Sequence, residues 1–93
     1  MRRRRKREEL RRIAELLLKP ESKNPYYLGD LAIRNLRELV ENLDKFGERE
    51  REWIANWIEY LGDGETAEKI RQFPEEFKDI LNARYNEVRR YVR

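Results

Sequence analysis

The sequence contains no cysteine and no histidine, and its 93 residues include one serine and one threonine. Without cysteine, no disulfide can stabilise the fold and no zinc site of the Cys/His type can form. The same shortage removes most of the side chains that act as nucleophiles or as bases near neutral pH. The composition therefore predicts a protein that is not an enzyme and that holds no metal and no cofactor.

Long apolar runs are also missing. A secretory signal needs a basic start followed by about 7 to 15 apolar residues. Here Arg11, Arg12 and Glu15 interrupt the apolar residues between Leu10 and Leu18. No stretch approaches the roughly 20 apolar residues of a membrane span, and there is no terminal cysteine for a lipid anchor. We therefore expect a soluble intracellular protein, either cytoplasmic or associated with a nucleoid or a virion.

The length limits the chain to one domain, because much smaller units rarely bury a sufficient core. We expect a basic arm over residues 1–9 and a single helical domain over residues 10–93. Helix packing or oligomerisation has to stabilise this domain in the absence of disulfides. The charged fraction of 44% is typical of hyperthermophile proteins and also of designed helical bundles. A designed bundle with no natural function is therefore one alternative for the origin of the chain.

Apolar residues recur at steps of three and four along much of the sequence, which is the period of an amphipathic helix. The first such segment predicts a helix over residues 4–18, which Pro20 ends. A second helix is predicted to begin at Pro25 or at Asp30 and to include Phe46. Gly47 is then expected to close this helix as a left-handed cap.

Three further helices are predicted in the second half of the chain. One covers residues 48–61, and its inward stripe consists of Trp53, Ile54, Trp57, Ile58 and Leu61. Gly62, Asp63 and Gly64 separate it from a short helix over residues 65–72, and a last helix begins near Pro74. No segment alternates convincingly with period two. We therefore expect an all-α bundle of four to five helices with a basic N-terminal arm or helix extension.

The formal net charge of +3 conceals three blocks of different sign. Residues 1–12 carry eight basic and two acidic side chains, which is a net charge of +6. Residues 13–83 carry ten basic and sixteen acidic side chains, and residues 84–93 carry four basic and one acidic side chain. An acidic body between two basic ends says more about the partners of a protein than about its fold.

The six consecutive basic residues at positions 2–7 are the strongest functional signal. Guanidinium groups match phosphate oxygens bidentately, and each neutralised phosphate releases counterions. We therefore expect a nucleic acid, DNA or RNA, to be held by its phosphate backbone. The residues predicted to contact it are Arg2, Arg3, Arg4, Arg5, Lys6, Arg7, Arg11, Arg12, Arg89, Arg90 and Arg93. The last three, together with Arg84, extend this surface if the last helix packs beside the first.

Other interpretations of the basic arm stay open. It is also compatible with a solvated tail, a patch for an anionic membrane, a nuclear import signal or a contact for an acidic protein. The leading hypothesis is a packaging subunit of the chromatin or nucleocapsid kind. The alternative is a helical adaptor that docks another protein through its arm or its apolar stripe.

Oligomerisation is expected because six phosphate contacts support only weak, non-specific binding, which several arms on one assembly would strengthen. The candidate contact between subunits lies on the last helix and consists of Tyr85, Val88, Tyr91 and Val92. Trp53 and Trp57 are expected to pack in the core, although exposed tryptophans can stack on bases.

Residues 55–58 read Ala-Asn-Trp-Ile and are followed by Leu-Gly-Asp at 61–63 and Ala-Glu-Lys-Ile at 67–70. This pattern resembles a short helical module of uncharacterised archaeal and bacterial proteins, and residues 35–39 look like its preceding helix. The resemblance covers about 40 residues, a span that suits a short supersecondary unit. It implies a natural helical fold and carries no catalytic residue to this chain, and the basic arm lies outside it.

Overall fold

The computed structural model describes residues 2–20 and 23–92, with side chains from Arg7 onward. Its helices and strands are α1 (Arg2–Leu18), β1 (Tyr26–Leu28), β2 (Leu31–Ile33), α2 (Leu36–Glu41), α3 (Arg51–Leu61), α4 (Gly64–Gln72) and α5 (Phe77–Val88). Short 3-10 turns follow α2 at Leu43–Lys45, precede α5 at Pro74–Glu76 and follow α5 at Arg89–Tyr91. The prediction of a mostly helical fold is confirmed.

The segment around Gly29 forms a β-hairpin, which corrects the expectation of an all-α chain. Tyr26 pairs with Ile33, and Leu28 pairs with Leu31, in a two-stranded antiparallel sheet. Gly29 has a φ of +59°, a left-handed conformation that reverses the chain between the strands. Each strand is three residues long, too short for period-two alternation to stand out in the sequence.

The second helix therefore begins later than predicted. Asn35 is its N-cap, and the Asn35 side chain accepts a hydrogen bond from the backbone N–H of Glu38 at 2.9 Å. The Glu38 carboxylate in turn accepts from the backbone N–H of Arg34 at 2.9 Å. The pair resembles a capping box, except that Glu38 accepts from the residue before the N-cap, and it satisfies the N–H groups of Glu38 and Arg34.

The core takes buried side chains from all five helices and from Ile33 of β2. From α1 it takes Ala14 and Leu17, both fully buried. The most extensive contact between two helices joins α3 and α4, and α1 packs against α2, α3, α5 and the turn Arg89–Tyr91. The other fully buried large apolar side chains are Ile33, Leu36, Leu39, Ile54, Ile58, Leu61, Ile70, Leu81 and Val88. Burial of apolar surface at these positions is the main stabilising contribution.

Gly62 allows α3 to end against α1. Its φ is +125°, and its N–H donates to the carbonyls of Ile58 and Glu59. A Cβ on Gly62 would lie 2.6 Å from Leu16 Cδ1, so the lack of a side chain also permits the close approach of α1. The predicted left-handed cap at Gly47 is wrong, because Gly47 is not among the positive-φ residues of the described chain.

Replacing Gly62 with alanine should lower the free energy of unfolding by about 2 kcal/mol, because a Cβ strains this backbone conformation and displaces Leu16. Gly64→Ala is the matched control, since a Cβ there meets no atom within 4 Å and Gly64 lies in a helix. Urea denaturation of both variants measures the difference. Equal stabilities for the two variants would contradict this account of the α3–α4 junction.

Candidate nucleic-acid interface

The predicted interface lies first on α1, which is a single helix from Arg2 to Leu18. Arg7, Arg11 and Arg12 are all exposed along it. The part of α1 that packs on the core begins at Ile13, and the predicted boundary between residues 9 and 10 falls inside the continuous helix. Six of the predicted contacts lie outside what the structure describes. They are the side chains of Arg2, Arg3, Arg4, Arg5 and Lys6, and the whole of Arg93.

Arg7, Arg11 and Arg12 have no acidic partner within 4.0 Å among the side chains that the structure describes. The cations of α4, by contrast, are paired. Arg71 Nη2, for example, lies 2.7 Å from Glu59 Oε1 and 2.9 Å from Asn56 Oδ1. The positive charge of α1 is therefore available to a ligand, whereas much of the positive charge on α4 is compensated.

The C-terminal basic residues approach the same helix. The turn Arg89–Tyr91 packs against α1, and both Arg89 and Arg90 are exposed. The Arg89 guanidinium lies 5.9 Å from the centroid of the Tyr85 ring, which restricts its orientation. The extension to the last helix depends on α5 and its following turn packing beside α1, and this packing is present.

Arg84 belongs to a different environment from the other C-terminal arginines, and it is removed from the predicted surface. It is buried, and its Nε and Nη2 lie 2.8 and 3.1 Å from the two carboxylate oxygens of Asp63. Its Nη1 donates to Glu87 Oε1 at 2.6 Å. Asp63 also caps α4, because its side chain accepts from the Thr66 N–H at 3.2 Å and from the Thr66 hydroxyl at 2.5 Å. This cluster of Asp63, Thr66, Arg84 and Glu87 is named the buried ion-pair cluster below.

The charge states of the cluster follow from its contacts. Burial by itself would raise the pKa of Asp63, but hydrogen bonds from Arg84 and Thr66 and the charge of Arg84 outweigh it and hold that pKa below its ordinary value. Burial likewise disfavours the charged form of Arg84, and its bonds to Asp63 and Glu87 overcome this and raise its pKa. No buried side-chain nitrogen or oxygen of the described residues lacks a hydrogen-bond partner. The cluster is therefore a structural ion pair with its hydrogen bonds satisfied.

Sequence reasoning treated Asp63 as part of a chain break and missed this pairing. The capping role of Asp63 could have been predicted, because an aspartate three residues before Thr66 at the start of a helix is typical of an N-cap. The partner Arg84 lies 21 residues away, and no local pattern identifies it.

Asp63→Asn should lower the free energy of unfolding by about 3 kcal/mol, because it leaves the Arg84 charge buried without its counterion. Glu65→Gln is the control, since the Glu65–Lys69 pair is exposed and its loss costs less than about 1 kcal/mol. Because the folded pKa of Asp63 is depressed, its stabilisation is present above about pH 4 and is lost as the pH falls through the folded pKa. Chemical denaturation at neutral and acidic pH measures both effects. A wild-type stability in Asp63→Asn at neutral pH would contradict the assignment.

The predicted subunit contact on the last helix needs correction at one position. Val88 is fully buried in the protein's own core and presents no surface to a second subunit. Tyr85, Tyr91 and Val92 are half-buried and pack against that core. The last helix therefore offers less apolar surface for self-association than its sequence suggests.

The two tryptophans of α3 have different environments. Trp57 is buried as expected, its indole N–H donates to the Asn24 carbonyl at 3.1 Å, and its ring lies 6.0 Å from that of Tyr26. Trp53 is 68% exposed, so the prediction that it packs in the core is wrong. The apolar stripe of α3 is narrower than its sequence indicates, because α4 and the hairpin cover one side of the helix. Trp53 is therefore available to a partner.

Other kinds of site find no support in the described residues. Within residues 2–20 and 23–92, no group of three or more acidic side chains is placed to hold a metal ion. None of the helices in those ranges has the combination of length and apolar character that a bilayer crossing requires.

Comparisons of the chain with protein-family models, with curated proteins and with solved structures found no match. The resemblance of residues 55–70 to a helical module therefore stays a prediction. In the structure these residues form α3, the α3–α4 junction and most of α4, and the motif positions Ala55, Trp57, Ile58, Leu61, Asp63, Ala67 and Ile70 are buried. The pattern is thus one of packing and capping.

Proposed function

We propose that this protein binds nucleic acid through the phosphate backbone and has no enzymatic role. The observation that carries the proposal is the exposure of Arg7, Arg11 and Arg12 on a helix that continues from the arginine-rich start of the chain. Arginine forms bidentate hydrogen bonds to phosphate oxygens, and backbone contacts carry no sequence information. The expected binding is weakly selective for sequence and strongly dependent on salt.

The distribution of acidic side chains supports a single mode of approach. Glu59, Glu65 and Glu68 lie on α3 and α4 and pair there with Arg71 or Lys69. The paired charges of these helices attract a polyanion little, whereas α1 and the turn Arg89–Tyr91 carry exposed cations with no described counterion. Fields of this kind orient a charged ligand before contact and raise the association rate at low salt.

Self-association is a second part of the proposal, because one chain offers too few phosphate-binding groups for useful affinity at physiological salt. An assembly that presents several α1 helices gains avidity without new chemistry. This arrangement suits a packaging subunit of the chromatin or nucleocapsid kind. The exposed Trp53 is a better candidate for the contact between subunits than the half-buried residues of the last helix.

The test is a titration of short DNA and RNA, single- and double-stranded, with the full chain at about 50 and 200 mM salt. In the variant with Arg7, Arg11 and Arg12 replaced by glutamine, the slope of log K against log salt should fall by about 0.9 for each phosphate that is no longer neutralised. The control replaces Lys45, Arg49 and Lys78 with glutamine, which makes the same change in net charge on other elements. The control should keep most of the wild-type slope.

Absence of salt-dependent binding by the wild-type chain would overturn the proposal. An equal reduction of the salt slope in both triple variants would also count against the proposal. Binding would then respond to the net charge of the chain rather than to the arginines of α1. A third variant has lysine at positions 7, 11 and 12 and keeps the charge of the wild type. It should retain most of the salt slope while losing the bidentate geometry of arginine.

A helical adaptor is the second candidate, and the exposed aromatic side chains favour it. Trp53 is 68% exposed on α3 and Phe73 is 54% exposed after α4, and exposed aromatic residues of this size are enriched at protein interfaces. Trp53→Ser separates the two functions in the same titration. A loss of self-association in sedimentation together with weaker nucleic-acid binding supports the packaging proposal, because the avidity of several α1 helices is then lost. No nucleic-acid binding by any form of the chain leaves the adaptor as the better explanation.

A further inference from the structure

Two adjacent clefts open where α1 ends. The first has a volume of about 340 Å³, and its basic lining residues are Lys19, Lys23 and Arg34. The second has a volume of about 250 Å³, and its basic lining residues are Lys19, Arg37 and Arg89. Lys19 belongs to both clefts, as do Leu18 and Asn35, so the two are neighbours along one surface. These two cavities are called the paired basic clefts.

Within residues 2–20 and 23–92, no acidic side chain compensates the positive charge of the paired basic clefts. None of the described residues that line either cleft is acidic. None of the five basic side chains lies within 4.0 Å of a described carboxylate. They come from four separate parts of the chain, so the fold brings them together against their mutual repulsion. A site that concentrates like charges in this way is suited to a polyanion.

The carboxylate of Glu38, one turn from Arg34, does not change this balance. Its Oε1 accepts a hydrogen bond from the Arg34 backbone N–H at 2.9 Å, and this bond caps α2. Glu38 is thus engaged with the backbone and is not paired with the side chain of Arg34 or Arg37. Arg37 itself lies in the first turn of α2, where a positive charge opposes the helix dipole and does not stabilise the helix.

Two of the five cations are held against aromatic rings. Lys23 Nζ lies 4.9 Å from the centroid of the Tyr60 ring, and the Arg89 guanidinium lies 5.9 Å from that of Tyr85. The Tyr60 hydroxyl is fixed in turn, because it accepts from the Asn24 N–H at 3.0 Å. Cation–π contacts of this kind restrict the side chains before a ligand arrives, so less entropy is lost on binding.

We propose that the paired basic clefts bind successive phosphate groups of the nucleic-acid strand that also contacts α1. This inference rests on the proposed function and deepens it. Two neighbouring clefts with a shared lysine suit a chain of phosphates better than a single small anion. Residues 7 and 19 are about 18 Å apart along a helix that rises 1.5 Å per residue, which corresponds to about five nucleotide steps at 3.4 Å. One backbone can therefore contact α1 and the clefts together.

The experiment uses the full chain with Lys19, Arg34 and Arg37 replaced by glutamine. These three side chains are not part of the buried core, and the Arg34 bond that caps α2 comes from the backbone, so the fold should be retained. The control is again the variant with Lys45, Arg49 and Lys78 replaced by glutamine. For the cleft variant, the salt slope on a short duplex should fall by about two to three, since each neutralised phosphate contributes about 0.9. The affinity at low salt should fall at least about tenfold, as expected when several phosphates are no longer neutralised.

Competition with inorganic tripolyphosphate distinguishes a backbone from a small phosphate ligand. The proposal expects the wild-type chain to bind the duplex more tightly than it binds tripolyphosphate. A cleft variant that binds the duplex like the control overturns this inference, even where the α1 variant loses affinity and the proposed function stands. A third outcome is that the wild type binds tripolyphosphate but no duplex, and that the cleft variant binds neither. This result overturns both the inference and the proposed function.

Thermal unfolding keeps these outcomes separate from damage to the fold. The cleft variant and the control should unfold at similar temperatures, because every replaced side chain lies outside the core. In a cleft variant that unfolds early, single Lys19→Gln and Arg37→Gln replacements carry the test, each with an expected slope change of about 0.9. No slope change in either single variant would overturn the inference.

Discussion

The ion pair between Asp63 and Arg84 joins the elements on which the proposed interface depends. Asp63 lies between α3 and α4 and caps α4, while Arg84 lies in the middle of α5. Their contact therefore fixes α5 against the α3–α4 pair. The turn Arg89–Tyr91 continues directly from α5 and packs against α1, so the ion pair and the contacts of α1 together position Arg89 beside the end of α1. A buried ion pair is costly to break, which makes it a strong constraint on this arrangement.

Charged residues serve two distinct roles in this chain. The arginine of the buried ion-pair cluster has all of its charge satisfied by Asp63 and Glu87. The exposed arginines of α1 and the cations of the paired basic clefts have no described carboxylate within ion-pair distance. The sequence has 19 acidic residues, so the composition does not by itself prevent these cations from having counterions. The lack of counterions among the described residues at this surface is the feature from which we propose a polyanionic ligand.

Much of the helical architecture could be predicted, because α1, α4 and α5 each have a local signal. Proline ends α1, an Asp–Gly pair begins α4, and Pro74 precedes α5. The hairpin could not, since three-residue strands fall below the length at which alternation is visible. Apolar periodicity also failed to separate Trp53 from Trp57, because both lie on the apolar side of α3. Packing of neighbouring elements against α3 decides which of the two tryptophans is exposed. The pairing of residues 63 and 84 likewise depends on tertiary packing and not on a local sequence pattern.

The paired basic clefts illustrate the same limit. Lys19, Lys23, Arg34 and Arg37 are not consecutive in the sequence, and they form no basic run like that at positions 2–7. The hairpin explains why they meet, because it folds the chain back between residues 23 and 34 and brings both sides of the loop to the end of α1. The charge distribution along the sequence thus predicts the basic part of α1. The paired basic clefts become visible only in the folded chain.

The most direct test of a phosphate backbone lying along α1 is amide chemical-shift mapping of the isotope-labelled chain with a short duplex at low salt. The account predicts the largest shifts in residues 7–20, in residues 34–37 and around Arg89, with little change in the outward face of α4. Shifts centred on α4 or on Trp53, with residues 7–20 unchanged, would contradict it.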